Sequence, residues 1–255
     1  MTAPKRTAPV GEPAASPGQV LSQTFKERRL KLSEDRLSVT GDKATGYQTV
    51  LAEHSANHGE WYFEVTIEEL PENSHVRIGW STRRTRYDQP IGSDCFSYGI
   101  RDIDCARISL ARRWAVGDQS KSLKAGDVVG CFVRLPHPPA SPRGLMAEDS
   151  LTFLPNLLCD PEAVSDPEML SSDSSMVFSV NGESLGTAFT NLVVGEYYPA
   201  VSIFAKGKVR FNFGPEFKFS DGQAQPACEM FVPKELLKPK RRPPNFIPRG
   251  LTSGA

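Results

Sequence analysis

The 255-residue sequence has no run of the ~18 to 20 apolar residues that a bilayer-spanning helix needs. Its opening stretch, MTAPKRTAPVGEPAASPGQV, also lacks the apolar segment found in secretory signals. An intracellular protein without membrane attachment is expected. Cysteine is scarce: Cys95, Cys105, Cys131, Cys159 and Cys228 are odd in number and never form CxxC, so neither a disulfide framework nor a zinc ribbon is indicated. Catalytic signatures are missing as well. There is no GxSxG nucleophile turn, no HExxH, no Gly-rich phosphate loop and no GxGxxG after a strand. His54 and His58 stand four apart, but the HSANHG stretch around them is polar and brings no third ligand, so a solvated turn is expected rather than a metal site. No enzyme, cofactor or metal is foreseen.

Net charge is missing too, though only in sum. Thirty Lys+Arg balance thirty Asp+Glu, which argues against an indiscriminate polyanion binder. Along the chain the charges separate. Between Arg77 and Arg113 eight arginines face four aspartates and no lysine occurs, while Glu148 to Glu183 carries eight acids and no Lys or Arg. From Lys234 to Arg249 six cations face the single acid Glu235. Arginine in preference to lysine matters because the guanidinium fork holds a carboxylate bidentately and stacks on aromatic rings. Within the tail, Lys238-Pro239-Lys240-Arg241-Arg242-Pro243 has the form of a short basic nuclear-import signal, and both basic ends could make weak electrostatic contact with DNA.

What is present is strand pattern. In Trp61 to Glu68, residues 61, 63, 65 and 67 form an apolar face, while Glu64, Thr66 and Glu68 face the other way and are expected at the solvated surface. His75–Ser81, Cys95–Ile100, Asp127–Leu135, Met176–Val180, Tyr198–Ala205 and Lys208–Phe213 read as further strands. Asn181-Gly182 suits a type I′ hairpin turn, and Lys206-Gly207 closes a second hairpin. An all-β antiparallel sandwich follows, with residues 1–22 as a flexible arm, 23–230 as the domain, 136–175 as an acidic, Pro-rich inserted loop and 231–255 as a basic, Pro-rich tail.

Several motifs occur together in one order: Gly59-Glu60-Trp61-Tyr62-Phe63-Glu64-Val65, Val76-Arg77-Ile78-Gly79-Trp80-Ser81, Phe96-Ser97-Tyr98, Gly126-Asp127-Val128-Val129-Gly130, the VFSVNGESLG run from Val177, Tyr198-Pro199-Ala200-Val201-Ser202 and Arg210-Phe211-Asn212-Phe213-Gly214-Pro215. The chain resembles a SPRY domain. Leu32 to Val39 (LSEDRLSV), Gln89-Pro90-Ile91-Gly92, Phe132 to Pro136 (FVRLP) and the FNFGPEFKF run from Phe211 resemble in particular the Ash-two-like subfamily, core subunits of COMPASS/MLL-type histone H3 lysine-4 methyltransferase complexes.

The resemblance implies a nuclear, non-catalytic scaffold subunit. It would grip an acidic segment of the complex's WD40 scaffold, the retinoblastoma-binding-protein-five subunit, and assist the separate SET-domain methyltransferase. The subfamily's peptide-binding positions fall on Tyr47, Arg77, Pro90 and Arg101. Two others depart: its tyrosine three residues after the proline is Ser93 here, and its lysine two residues after the second arginine is Ile103. Arg107, Arg112 and Arg113 are the candidates to compensate. The tail shows no apolar stripe, so docking on a dumpy-thirty-type dimer is not expected. The alternative is a SPRY peptide-binding adaptor of a ubiquitin ligase or a Ran-binding-type scaffold.

Overall fold

The computed structural model describes residues 18–43, 46–116, 121–137, 173–193, 195–219 and 225–227. The strands are β1 (Leu21–Lys26), β2 (Lys31–Leu32), β3 (Ser38–Thr40), β4 (Tyr47–Ala52), β5 (Gly59–Glu69), β6 (His75–Ser81), β7 (Ser97–Arg101), β8 (Arg107–Ser109), β9 (Arg112–Trp114), β10 (Val128–Leu135), β11 (Ser175–Val180), β12 (Glu183–Thr190), β13 (Tyr198–Phe204), β14 (Lys208–Asn212) and β15 (Gln225–Pro226). One antiparallel sheet runs β1-β4-β13-β6-β7-β8-β9. The other runs β12-β11-β10-β5-β14-β3-β2, with β15 added in parallel to β5.

The expected period-2 face of β5 is the centre of the core. Trp61, Phe63, Val65 and Ile67 are all buried, and Phe63 packs edge-on against Trp80 of the opposite sheet with ring centroids 4.9 Å apart. Burying each such large side chain contributes about 1.5–3 kcal/mol. Asn181 and Gly182 have φ of 51° and 84°, the two left-handed residues of a type I′ turn. The Asn181 side chain also clasps the neighbouring strand: its Oδ1 accepts from Val128 N–H at 2.9 Å and its Nδ2 donates to Asp127 Oδ1 at 2.9 Å.

Three expectations are altered. β1 begins at Leu21, inside the segment expected as a free arm, and Leu21 and Ser22 are fully buried. Lys206-Gly207 closes no hairpin: β13 belongs to the first sheet and β14 to the second, so residues 205–207 carry the chain from one sheet to the other, with Ala205 left-handed (φ 55°) and the Gly207 N–H bonded back to the Ala205 carbonyl at 3.2 Å. Glu64 is 1% exposed, not solvated. Residues 212–219 fold over the outer face of β5, and the Glu64 carboxylate accepts from Tyr62 OH (3.3 Å), Asn212 Nδ2 (3.2 Å) and the N–H groups of Lys218 and Phe219 (both 2.8 Å). Four donors compensate the desolvation of the buried group. The inserted loop between β10 and β11 lies mostly, and the basic tail wholly, outside the described residues.

Replacing Asn181 by Ala removes both clasping bonds and a residue suited to positive φ. It should lower stability by about 1–3 kcal/mol, read as a shift in the urea midpoint with unchanged slope.

Candidate functional site

The outer face of the first sheet carries the site. β4 buries Val50 and Ala52 in the core, so alternation turns Tyr47, Thr49 and Leu51 outward. Across the sheet, Thr49 pairs with Ser202, Ser202 with Arg77, and Arg77 with Arg101, which puts these four in one outward-facing row. A step toward one edge, Tyr47 lies beside its strand partner Phe204, ring centroids 5.3 Å apart.

The Arg77 guanidinium lies 5.0 Å from the centroid of the Tyr47 ring, and its Nη1 donates to the Ile91 carbonyl at 3.1 Å. Its Nε is buried without an acceptor, and no carboxylate pairs with it among the described residues. Burial raises the Tyr47 phenol above its ordinary value, opposed by the Arg77 cation, so this ring stays neutral.

Pro90 is positioned by what holds its neighbours. Ile91 N–H donates to Ser202 Oγ at 2.7 Å, Thr49 Oγ1 donates to the Gln89 carbonyl at 2.6 Å, and Thr49 N–H to the Tyr87 carbonyl at 2.9 Å. The loop is thereby stitched across the sheet with half-buried Pro90 at the edge of the row. Gly92 (φ 83°) makes the turn beside it, where a Cβ would stand 2.6 Å from the Ile108 carbonyl.

At the far end of the row, Arg101 Nε donates to Asp104 Oδ1 at 2.9 Å, and Arg113 Nε donates to the other oxygen of the same carboxylate at 2.7 Å. Burial by itself would raise Asp104; the Ala106 N–H and the two guanidiniums outweigh it and hold the carboxyl below its ordinary value.

Tyr47, Arg77, Pro90 and Arg101 are thus gathered on one face. Arg107 is not: it pairs with Ile100, a core residue, and its guanidinium points to the other side, bonded to the Ala188 carbonyl and lying over Trp114 and Phe189. Arg112 is exposed opposite Ser109 on β8, in the register of that other side. Lys238, Lys240, Arg241 and Arg242 lie outside the described residues. His54 and His58 do not converge. The His54 N–H is taken by Gln19, whereas His58 bonds Asn57 and stacks on His137.

The SPRY domain family matches residues 60–138. The chain carries a SPRY domain. Solved structures agree in fold: a human SPRY domain (TM-score 0.53, 14% identity, 74% of this chain and 98% of that one) and the SPRY domain of human HERC1 (0.52, 15%, 75% and 96%). Among curated relatives, the Set1/Ash2 histone methyltransferase complex subunit ASH2 of Drosophila melanogaster is 35% identical over 210 residues, 76% of this chain and 35% of that protein. The corresponding ash-2 subunit of Caenorhabditis elegans is 30% identical over 213 residues, 75% and 36%. The resemblance to the Ash-two-like subfamily is borne out, and the chain spans about a third of the length of these relatives.

Sequence reading missed several residues of this face, Thr49, Ser202, Phe204 and His75 among them. His75, two before Arg77 on β6 and therefore on the same side, bonds the buried Asp102 carboxylate at 2.9 Å and lies beside Phe204, centroids 6.0 Å apart. Period-2 alternation would have found it. Ile103, at the tip of the turn after Arg101, is 52% exposed.

The low Asp104 value fixes a pH dependence. A carboxyl depressed on folding adds stability at pH values above its unfolded pKa, near ~3.9, and loses it as pH falls through the folded value. The melting-temperature gap between the native chain and Asp104→Asn should be widest at about pH 6–7 and narrow below about pH 4, as thermal scans across that range will read.

Proposed function

We propose that this SPRY domain is the peptide-gripping part of a non-catalytic scaffold subunit of a nuclear histone H3 lysine-4 methyltransferase complex. Its ligand is an acidic segment of a WD40 scaffold subunit of the retinoblastoma-binding-protein-five kind, held by Tyr47, Arg77, Pro90 and Arg101, and the SET-domain methyltransferase is a separate member of the assembly. The relatives' printed names, subunits of Set1/Ash2 complexes, support the setting. One observation carries the ligand chemistry. Arg77 is half-buried, braced by a ring face and a carbonyl, set beside a second arginine, and has no carboxylate of its own among the described residues.

An incoming carboxylate would supply the missing counter-charge through a charge-assisted hydrogen bond worth about 1.5–3 kcal/mol. Pro90 and Tyr47 add apolar walls that favour an extended backbone over a compact anion. Likeness to the solved SPRY domains, at 14% and 15% identity, extends to the fold alone, so the adaptor reading has no support of its own.

The test is fluorescence anisotropy with a labelled twelve-residue peptide rich in Asp and Glu at physiological salt. Arg77→Ala should weaken binding by about 10- to 100-fold, the equivalent of ~1.5–3 kcal/mol, with Arg101→Ala close behind. Unchanged affinity in both variants would remove the groove assignment. Affinity purification from nuclei should recover a SET-domain protein and WD40 proteins, whereas a cullin or RING partner would point to the adaptor class.

A further inference from the structure

We infer that Arg113 is a third binding cation of this groove and that Asp104 is the residue that positions it. The inference rests on the peptide-binding reading above and extends it to the far edge of the sheet. Of the three arginines beyond Arg101, only Arg113 has the register for the job. It pairs with Ile108, which pairs with Gly99, and Gly99 pairs with Gly79 two residues from Arg77; this places Arg113 on the outward side. Arg107 and Arg112 belong to the other side by the same count.

Register alone would leave Arg113 two strands away from Arg101, or ~10 Å at the usual spacing between paired strands. Asp104 closes that gap. One carboxylate takes Arg101 Nε on Oδ1 and Arg113 Nε on Oδ2, so the two guanidiniums are fixed within the span of a single carboxyl group. Asp104 is itself held, 12% exposed and bonded to the Ala106 N–H at 3.1 Å. Arg113 keeps 51% of its side chain open to solvent against 24% for Arg101, so the outer member of the pair is the more accessible.

The Asp104 carboxylate thus brings two cations together at the far end of the row. With Arg77 on the neighbouring strand, the row offers two separated places for carboxylates: one at Arg77, one at the Arg101–Arg113 pair. Exposed Ile103 lies in the turn between Arg101 and Asp104. The ligand this arrangement fits is an extended peptide with two acidic side chains on one side of its backbone and an apolar side chain next to the second acid.

The experiment uses the full chain and the twelve-residue acidic peptide, plus a copy in which one Glu at a time is changed to Gln. Arg113→Ala should weaken binding about five- to twenty-fold, flatten its dependence on salt, and show a coupling of at least about threefold with one particular Glu→Gln in a double-mutant cycle, the mark of direct contact. Arg113→Lys should recover part of the loss. Asp104→Ala should weaken the peptide while leaving the coupling between Arg77 and its own peptide acid intact. Thermal melting of each variant separates lost binding from lost fold. If Arg77→Ala weakens binding while Arg113→Ala binds as the native chain does with no coupling, the third cation is disproved and the groove reading survives. If Arg77→Ala has no effect, the groove reading fails, whatever Arg113 does.

Discussion

The candidate site depends on a place where the outer face of a sheet carries no side chains. Gly79 of β6 and Gly99 of β7 are cross-strand partners, and the bare backbone they leave is where the loop bearing Ile91 comes down. A Cβ on Gly99 would stand 2.8 Å from Ile91 Cγ2 and 2.8 Å from the Ile78 carbonyl, so any side chain there would lift the loop. With Ile91 seated beside Leu51, Tyr198 and Ala200 in a satellite apolar cluster, Ser202 and Thr49 can reach its backbone, and only then does the Ile91 carbonyl face Arg77. Positioning of the cation is a consequence of packing beneath the loop.

The charge arrangement follows from that geometry and costs the free protein something. Two arginines directly opposite on neighbouring strands repel each other. Arg101 is relieved by Asp104, whereas among the described residues Arg77 is relieved by a ring and a carbonyl dipole and no carboxylate. Repulsion left uncompensated within the fold is available to an anionic ligand, which gains by cancelling it in a partly desolvated setting where screening is weak. The same reasoning explains why arginine fills these positions: a lysine ammonium could not lie flat on Tyr47 and hold a carbonyl through a rigid fork at the same time.

How legible this was in the sequence depended on the range of the interaction. Asn181-Gly182 announces its turn because the two φ values are local properties of those residues, and the β5 alternation announces its core face because period 2 is local too. Glu64 could not be read correctly. Alternation assigns it to the non-core side, correctly, but its burial comes from residues 212–219, some 150 positions along the chain. Arg107 and Arg113 lie on two strands of three residues joined by a turn whose Leu110 and Ala111 have φ of 54° and 55°. No hydrophobic pattern of that length fixes register, so composition could count the arginines but not sort them by face. Tyr47, Arg77, Pro90 and Arg101 come from family motifs; that Thr49, Ser202, Arg77 and Arg101 stand in one row is a fact of pairing.

The fate of Glu64 also bears on which face of the sandwich can bind. Both sheets have an outer surface, and both contain arginines. On the second sheet, Arg210 meets Asp35 and Arg134 meets Glu60, while the buried Glu64 carboxylate pulls residues 216–219 across β5 and sets Phe217 on the Tyr62 ring, centroids 4.8 Å apart. That face spends its charges on itself and is partly roofed. On the first sheet the roof is the Ile91 loop, which stops short of Arg77 and Arg101. The zero net charge of the whole chain therefore says little about either surface. One face pairs Arg210 and Arg134 internally, whereas on the other Arg77 has a ring face and a carbonyl but no carboxylate among the described residues.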